Sequence, residues 1–356
     1  MSEIISQAAL RQLVDAWLGQ GRRAVGPAQV KPGLLLYAPL RAAEELLLEG
    51  YVRPANSIKE AVFPRHEKLY GFRFHGKQIE LVDAEAPTQQ QLVIGARPCD
   101  AAALPILDHV FNWDYKDEHY NRRRELTTVV TLACREHDRH CFCTSVGSAP
   151  DDPRGSDAML YDLGDGTLEV RTMSEKGRAL FAGRTESSAK VGQAECHGLS
   201  ECHGLSPCHT GPEPRLDMAA VAAFLAGGFE DPHWAAWSAR CMGCGACAFT
   251  CPTCHCFDMV DEGGASGGAK VRNWDACQYT MFTMHASGHN PRAVQGQRQR
   301  QRIYHKFRTY PEKFGTPLCT GCGNCTRNCP VRLGVLPVLQ DIESHAKNKP
   351  ITVRTL

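Results

Sequence analysis

Two unbroken runs of four cysteines, each closed by a proline, constrain this chain more than any other feature. Cys241-Met-Gly-Cys244-Gly-Ala-Cys247-Ala-Phe-Thr-Cys251-Pro252 and Cys319-Thr-Gly-Cys322-Gly-Asn-Cys325-Thr-Arg-Asn-Cys329-Pro330 both follow the spacing C-x2-C-x2-C-x3-C-P, that of ferredoxins holding two 4Fe–4S clusters. Three thiolates at short spacing can wrap three corners of a cubane. Glycines between them let backbone amides approach the sulfurs, and the proline turns the chain away. In such pairs the fourth cysteine serves the other cluster. The expected sets are therefore Cys241, Cys244, Cys247 and Cys329 for one cubane, and Cys319, Cys322, Cys325 and Cys251 for the other. Structural zinc is the competing reading, but zinc is usually held by two separated cysteine pairs rather than by unbroken runs of four. Cys251-Pro-Thr-Cys254-His255 also satisfies the C-x-x-C-H rule for c-type haem. Cys251 already belongs to the ferredoxin run, and covalent haem attachment goes with export.

Nothing at the start of the chain points to export: MSEIISQAALRQLVDAW has no basic stretch followed by an apolar one. A cytoplasmic location is expected, where thiols stay reduced, so 18 cysteines in 356 residues call for metal or redox chemistry rather than disulfides. Forty basic against 39 acidic side chains leave a net charge of +1. That balance offers no general attraction to nucleic acid or to anionic membranes. The most apolar run, residues 218–229, is too short to cross a bilayer. There is no G-x-G-x-x-G after a strand, no phosphate-binding G-x-x-x-x-G-K-[ST], no nucleophile elbow and no H-E-x-x-H helix. The chain has electron carriers and no candidate catalytic residue.

Along the chain, residues 1–183 alternate helical and strand signals. SQAALRQLVDAWLGQG has helical spacing ending at Gly21, while GLLLYAPL, QQLVIGA and LTTVVTLAC read as short buried strands, so an α/β first domain is expected. Residues 184–214 shift to Ser, Gly, Pro, His and Cys and repeat ECHGLS in tandem, with Cys196, Cys202 and Cys208 each followed by histidine. Such spacing could bind a soft metal, but a low-complexity linker or surface insertion is the simpler reading. Residues 215–356 are expected to form a mostly α-helical, two-cluster ferredoxin-like domain, with EGGASGG near 262–269 as a flexible loop between the cysteine runs. Residues 292–308, with Arg292, Arg298, Arg300, Arg302, Lys306 and Arg308, read foremost as a solvated helix face. Docking to an acidic partner, or compensation of a thiolate-ligated cluster, are the alternatives. Cys99, Cys134, Cys141 and Cys143, near the ends of two expected strands, supply four further thiols: enough for a third cluster, or else buried structural cysteines.

The segments SIKEAVFPRHEKLYGF, ARPCDAAALPILD, HYNRRRE, CFC, CMGCGACAFTCPTCHCF, NWDACQ, HNPR, HKF and CTGCGNCTRNCP, from about residue 57 to about 335, together resemble the β (electron-transfer) subunits of cytosolic nickel–iron hydrogenases of the sulfhydrogenase type, related to the corresponding component of anaerobic sulfite reductase. The most specific pieces are CPTC-x-C after the first run and WDxCQ between the two, which plain ferredoxins lack. The resemblance implies a non-catalytic subunit relaying electrons between a partner that carries FAD and binds NAD(P)H and a catalytic partner holding nickel–iron or sirohaem. It also implies that Cys99, Cys134, Cys141 and Cys143 ligate an additional cluster. Heterodisulfide-reductase-linked complexes can use a similar relay, and a flavin bound in the α/β domain would make the chain an enzyme in its own right. Cys254, Cys256 and Cys277 match family positions with no role assigned, and the ECHGLS repeat departs from the pattern.

Overall fold

The computed structural model describes residues 2–188 and 211–348. The repeat cysteines Cys196, Cys202 and Cys208 lie outside the described residues. Two compact units emerge. One takes in the chain to Phe63, Pro87–Arg139 and the segment from Ser148 to Pro212; the other takes in Pro64–Ala86, His140–Gly147 and the chain from Glu213 onward.

The first unit is an α/β structure built on an eight-stranded sheet. Its four central strands, Arg23–Lys31, Gln91–Ala96, Thr127–Leu132 and Ala158–Asp162, run parallel in that order. QLVIGA and TTVVTL are buried at every position, the pattern of strands covered on both faces, where apolar residues replace alternation. Antiparallel strands finish both edges: Leu34–Pro39 on one side, and Thr167–Thr172, Ser2–Ser6 and Glu186–Ser188 on the other. The helix Gln7–Leu18 starts where the Ser6 hydroxyl accepts the Ala9 amide at 3.1 Å, and packs Leu10, Leu13 and Val14 into the core. Gly21, at φ 72°, then turns the chain toward the first parallel strand.

The second unit differs from the helix-dominated expectation. It carries a four-stranded antiparallel sheet in the order Phe257–Gly264, Gly267–Trp274, His66–His75, Gln78–Asp83. The glycine-rich segment expected as a loop is a hairpin, paired from Phe257↔Trp274 to Gly264↔Gly267. Its partner strands come from residues 66–83, which a division at 183 leaves in the other domain; pairing between strands so distant in sequence leaves no local signature. Arg272 and Glu67, opposite one another in register, form a buried ion pair across this junction. The helices Met218–Gly227, His233–Ser238, Gln295–Tyr304 and Val335–Asn348 enclose a core including Val221, Leu225, Trp234, Ile303, Leu336 and Leu339, against which Cys241, Cys247, Cys319 and Cys329 pack. Among the described residues no helix is long and apolar enough to cross a membrane.

Candidate metal centres

The two cysteine runs fold alike. In the first, Gly243 and Gly245 take φ of 66° and 73°; in the second, Gly321 and Gly323 take 66° and 74°. L-residues seldom adopt this left-handed region, so the repeated Gly-Cys-Gly is a backbone requirement. Each run then enters a single helical turn, Ala246–Phe249 or Asn324–Arg327, opened by the carbonyl of Gly245 or Gly323.

Their sulfurs meet crosswise. One cavity is lined by Cys241, Cys244 and Cys247 of the first run and by Cys329 of the second. Cys251 of the first run lies among the thiols acting on Cys319, together with Cys322 and Cys325. Backbone amides already point at sulfur: Leu333 N–H donates to Cys329 Sγ at 3.2 Å and Val335 N–H to Cys325 Sγ at 3.3 Å. Burial pushes the Cys247 thiol up to about 12 and raises that of Cys319. As bare thiols both hold their protons at neutral pH, so loading an iron core here releases protons.

The basic segment is not a solvated face. Arg298, Arg302 and Lys306 are only 7%, 3% and 2% exposed. They recur every four residues along Gln295–Tyr304 and into the π turn His305–Thr309, and so share one side. Lys306 Nζ donates to Cys251 Sγ at 3.5 Å, Thr253 Oγ1 at 3.0 Å and the Leu318 carbonyl at 2.9 Å. Burial opposes its charge, but the thiols of Cys251, Cys254 and Cys319 outweigh that and hold its pKa above the ordinary lysine value. Arg302 is likewise opposed by burial and held well up by Cys247, Cys325, Cys254 and Cys277. Its Nε and Nη2, with Gln299 Nε2, are buried without a hydrogen-bond partner, and both side chains line the four-thiol cavity. Buried donors left unpaired are costly unless an acceptor fills the space. An anionic thiolate-ligated cluster supplies both the charge and the sulfur acceptors, so the residues present fit that group. Sequence reasoning missed Gln278, Gln295 and Gln299 as site residues, and for Arg302 and Lys306 it held charge compensation of a cluster only as an alternative to a solvated face. The readable signal was the four-residue spacing of 298, 302 and 306 beside apolar Ile303 and Phe307.

The other thiols divide between the units. In the first, Cys99 sits in the turn Pro98–Ala101 after a parallel strand and accepts from Arg53 Nη1 at 3.1 Å; Arg53 also grips Asp100 with Nη2 at 2.9 and 2.8 Å. Cys134 follows the next strand and acts on buried Arg97. In the second, Cys141 accepts from Arg327 Nη2 at 3.0 Å, and buried Cys143 opens the turn Cys143–Val146. Cys256 and Cys277 are brought together at the base of the hairpin, where Asp275 N–H donates to the Cys256 carbonyl at 2.9 Å. A hydrogen bond with Cys256, then burial, raises the Cys277 thiol; a hydrogen bond with Cys251, then burial, raises that of Cys254.

Residues 240–333 match the family model of the 4Fe–4S dicluster domain. No solved structure matches the chain. The sulfhydrogenase 2 subunit beta of Pyrococcus furiosus aligns over 274 residues, 76% of this chain and 78% of that one. With 30% identity sustained over that length, the chain belongs to the sulfhydrogenase β-subunit family.

Proposed function

We propose that the chain relays electrons through two 4Fe–4S clusters in a cytoplasmic, multi-subunit oxidoreductase, between a partner binding FAD and NAD(P)H and a catalytic partner, a nickel–iron hydrogenase subunit. The observation that carries this reading is the crossed meeting of the two cysteine runs beside buried cations. Cys241, Cys244, Cys247 and Cys329 would hold one cluster, and Cys319, Cys322, Cys325 and Cys251 the other. Such clusters accept and return single electrons. The protein's part is to hold the two sites in one core, direct amides at sulfur and offset the thiolate charge with Arg302 and Lys306. No side chain is assigned to bond making, which leaves catalysis to a partner.

Iron and acid-labile sulfide in the anaerobically purified chain test this, with about four irons expected per cluster. A value near eight fits the crossed pair. A value near twelve adds a third cluster. Zinc without visible absorbance would refute the proposal. Co-purification of a nickel–iron subunit supports the partner assignment; a sirohaem subunit would transfer the chain to the sulfite-reductase branch.

One observation favours a second reading. A cavity of about 640 Å³ in the first unit, lined by Tyr51, Arg97, Arg135 and Asp162, opens where the central parallel strands end, the usual ligand position in such sheets. Flavin released on denaturing the isolated chain would favour a flavin-binding subunit.

A further inference from the structure

Asp231, His233 and His345 converge in the second unit on elements that carry no cysteine of either run. Asp231 and His233 stand at the entry to the helix His233–Ser238, and His345 on the last turns of Val335–Asn348. Asp231 Oδ1 lies 3.0 Å from His233 Nδ1, and Asp231 Oδ2 lies 3.2 Å from His345 Nε2. All three ligand atoms fall within 4.8 Å of one another. A tetrahedral ion with nitrogen and oxygen bonds of about 2.0–2.1 Å needs its ligand atoms about 3.3 Å apart. The two imidazole nitrogens stand at 3.0 and 3.2 Å from the two different oxygens of the Asp231 carboxylate, close to that spacing.

The surroundings suit a bound cation. Side-chain exposure is 10% for Asp231, 11% for His345 and 45% for His233, so the trio is walled on one side and open to an exchangeable water on the other. The rings of Phe224 and Trp237 stand 5.7 and 5.4 Å from that of His345 and make an apolar shell. Two imidazoles and one carboxylate are a borderline nitrogen and oxygen donor set, matched to divalent zinc and its first-row neighbours.

We propose that Asp231, His233 and His345 bind one divalent transition-metal ion of the zinc class. The ion fastens the end of the helix Val335–Asn348 to the segment ahead of His233–Ser238. The same helix begins with the Val335 amide that donates to Cys325 Sγ, so the fastening also steadies a proposed cluster ligand. The metal site stands on different residues from the relay and does not depend on it.

The test uses the full chain with its clusters loaded, dialysed against Zn2+ and desalted, with zinc and iron measured together. The wild type should retain a single zinc per chain and melt at higher temperature with zinc than without. His345→Gln and His233→Ala should each weaken zinc binding at least about ten-fold, the scale on which a site's supporting groups act, leave the iron content unchanged and abolish the zinc-dependent melting shift. His233 is exposed enough for its alanine variant to fold. Failure of the wild type to retain zinc, or equal retention by both variants, would mean that the trio is a hydrogen-bonded cluster only and would overturn the proposal.

Discussion

Around Cys241, Cys244, Cys247 and Cys329 stand amide side chains and the buried guanidinium of Arg302, whereas Cys251 and Cys319 meet the buried ammonium of Lys306. Gln295 Nε2 donates to Cys241 Sγ at 3.1 Å and is itself bonded to Gln278, while Cys244 is exposed and Met242 beside it is 69% exposed. In the second site Cys322 and Cys325 are buried, and the contributed Cys251 carries Lys306. The backbones are near-duplicates, so the difference is one of environment. Spacing decides what a run can hold; burial and nearby charge decide how readily it takes an electron. A buried positive charge stands at each site, Arg302 at the first and Lys306 at the second, and each favours the reduced and more negative state of what its thiols hold.

The largest expected effect comes from removing one run's first three thiols. Cys319→Ser, Cys322→Ser and Cys325→Ser together should cost about four irons and leave one cluster's electron-paramagnetic signal intact; loss of both signals would deny the sites their independence. Next come the glycines. A Cβ at Gly323 would meet the His140 carbonyl oxygen at 2.3 Å, whereas at Gly243 the nearest atom is 3.4 Å away. Gly323→Ala should cost about 3 kcal/mol by denaturant unfolding and Gly243→Ala about 1, the cost of positive φ alone; equal costs would contradict the packing difference. Lys306→Met should then lower the potential of one cluster selectively, with Lys306→Arg restoring much of it in a redox titration. An equal shift of both clusters would show that the ammonium acts on the pair and not on the second site.

The smallest effect is in acid. Burial, then Lys306 and Arg292, lowers His305 from 6.5 to about 4. The unfolded chain therefore binds the extra proton between those values, and stability present above pH 6.5 is lost as pH falls toward 4. His305→Gln should flatten that fall in urea midpoints measured at pH 7 and 5.

Local features of this molecule were legible in its residues, and distant ones were not. The runs, their glycines, the helix Gln7–Leu18 and the buried strands Gln91–Ala96 and Thr127–Leu132 each declare themselves within a dozen residues. The pairing of Gly267–Trp274 with His66–His75 joins segments about two hundred residues apart, and no periodicity announces it. The hairpin Phe257–Trp274 was hidden because its glycines and acids imitate a loop, and its outer strand is largely exposed. Arg298, Arg302 and Lys306 misled for a different reason: cations at helical spacing ordinarily mark solvent, and here Arg302 and Lys306 face thiols while Arg298 is buried against Gln295 and the Arg292 and Ala293 carbonyls.

The crossing of the fourth ligands is most directly tested by Cys329→Ser placed in each of two backgrounds, with iron counted and the electron-paramagnetic signals recorded. If Cys329 completes the first site, adding Cys329→Ser to the Cys241/Cys244/Cys247 triple-serine variant removes no further iron. Adding it to the Cys319/Cys322/Cys325 triple-serine variant removes or alters the remaining cluster. The reverse pattern would place Cys329 with its own run and contradict the crossed relay.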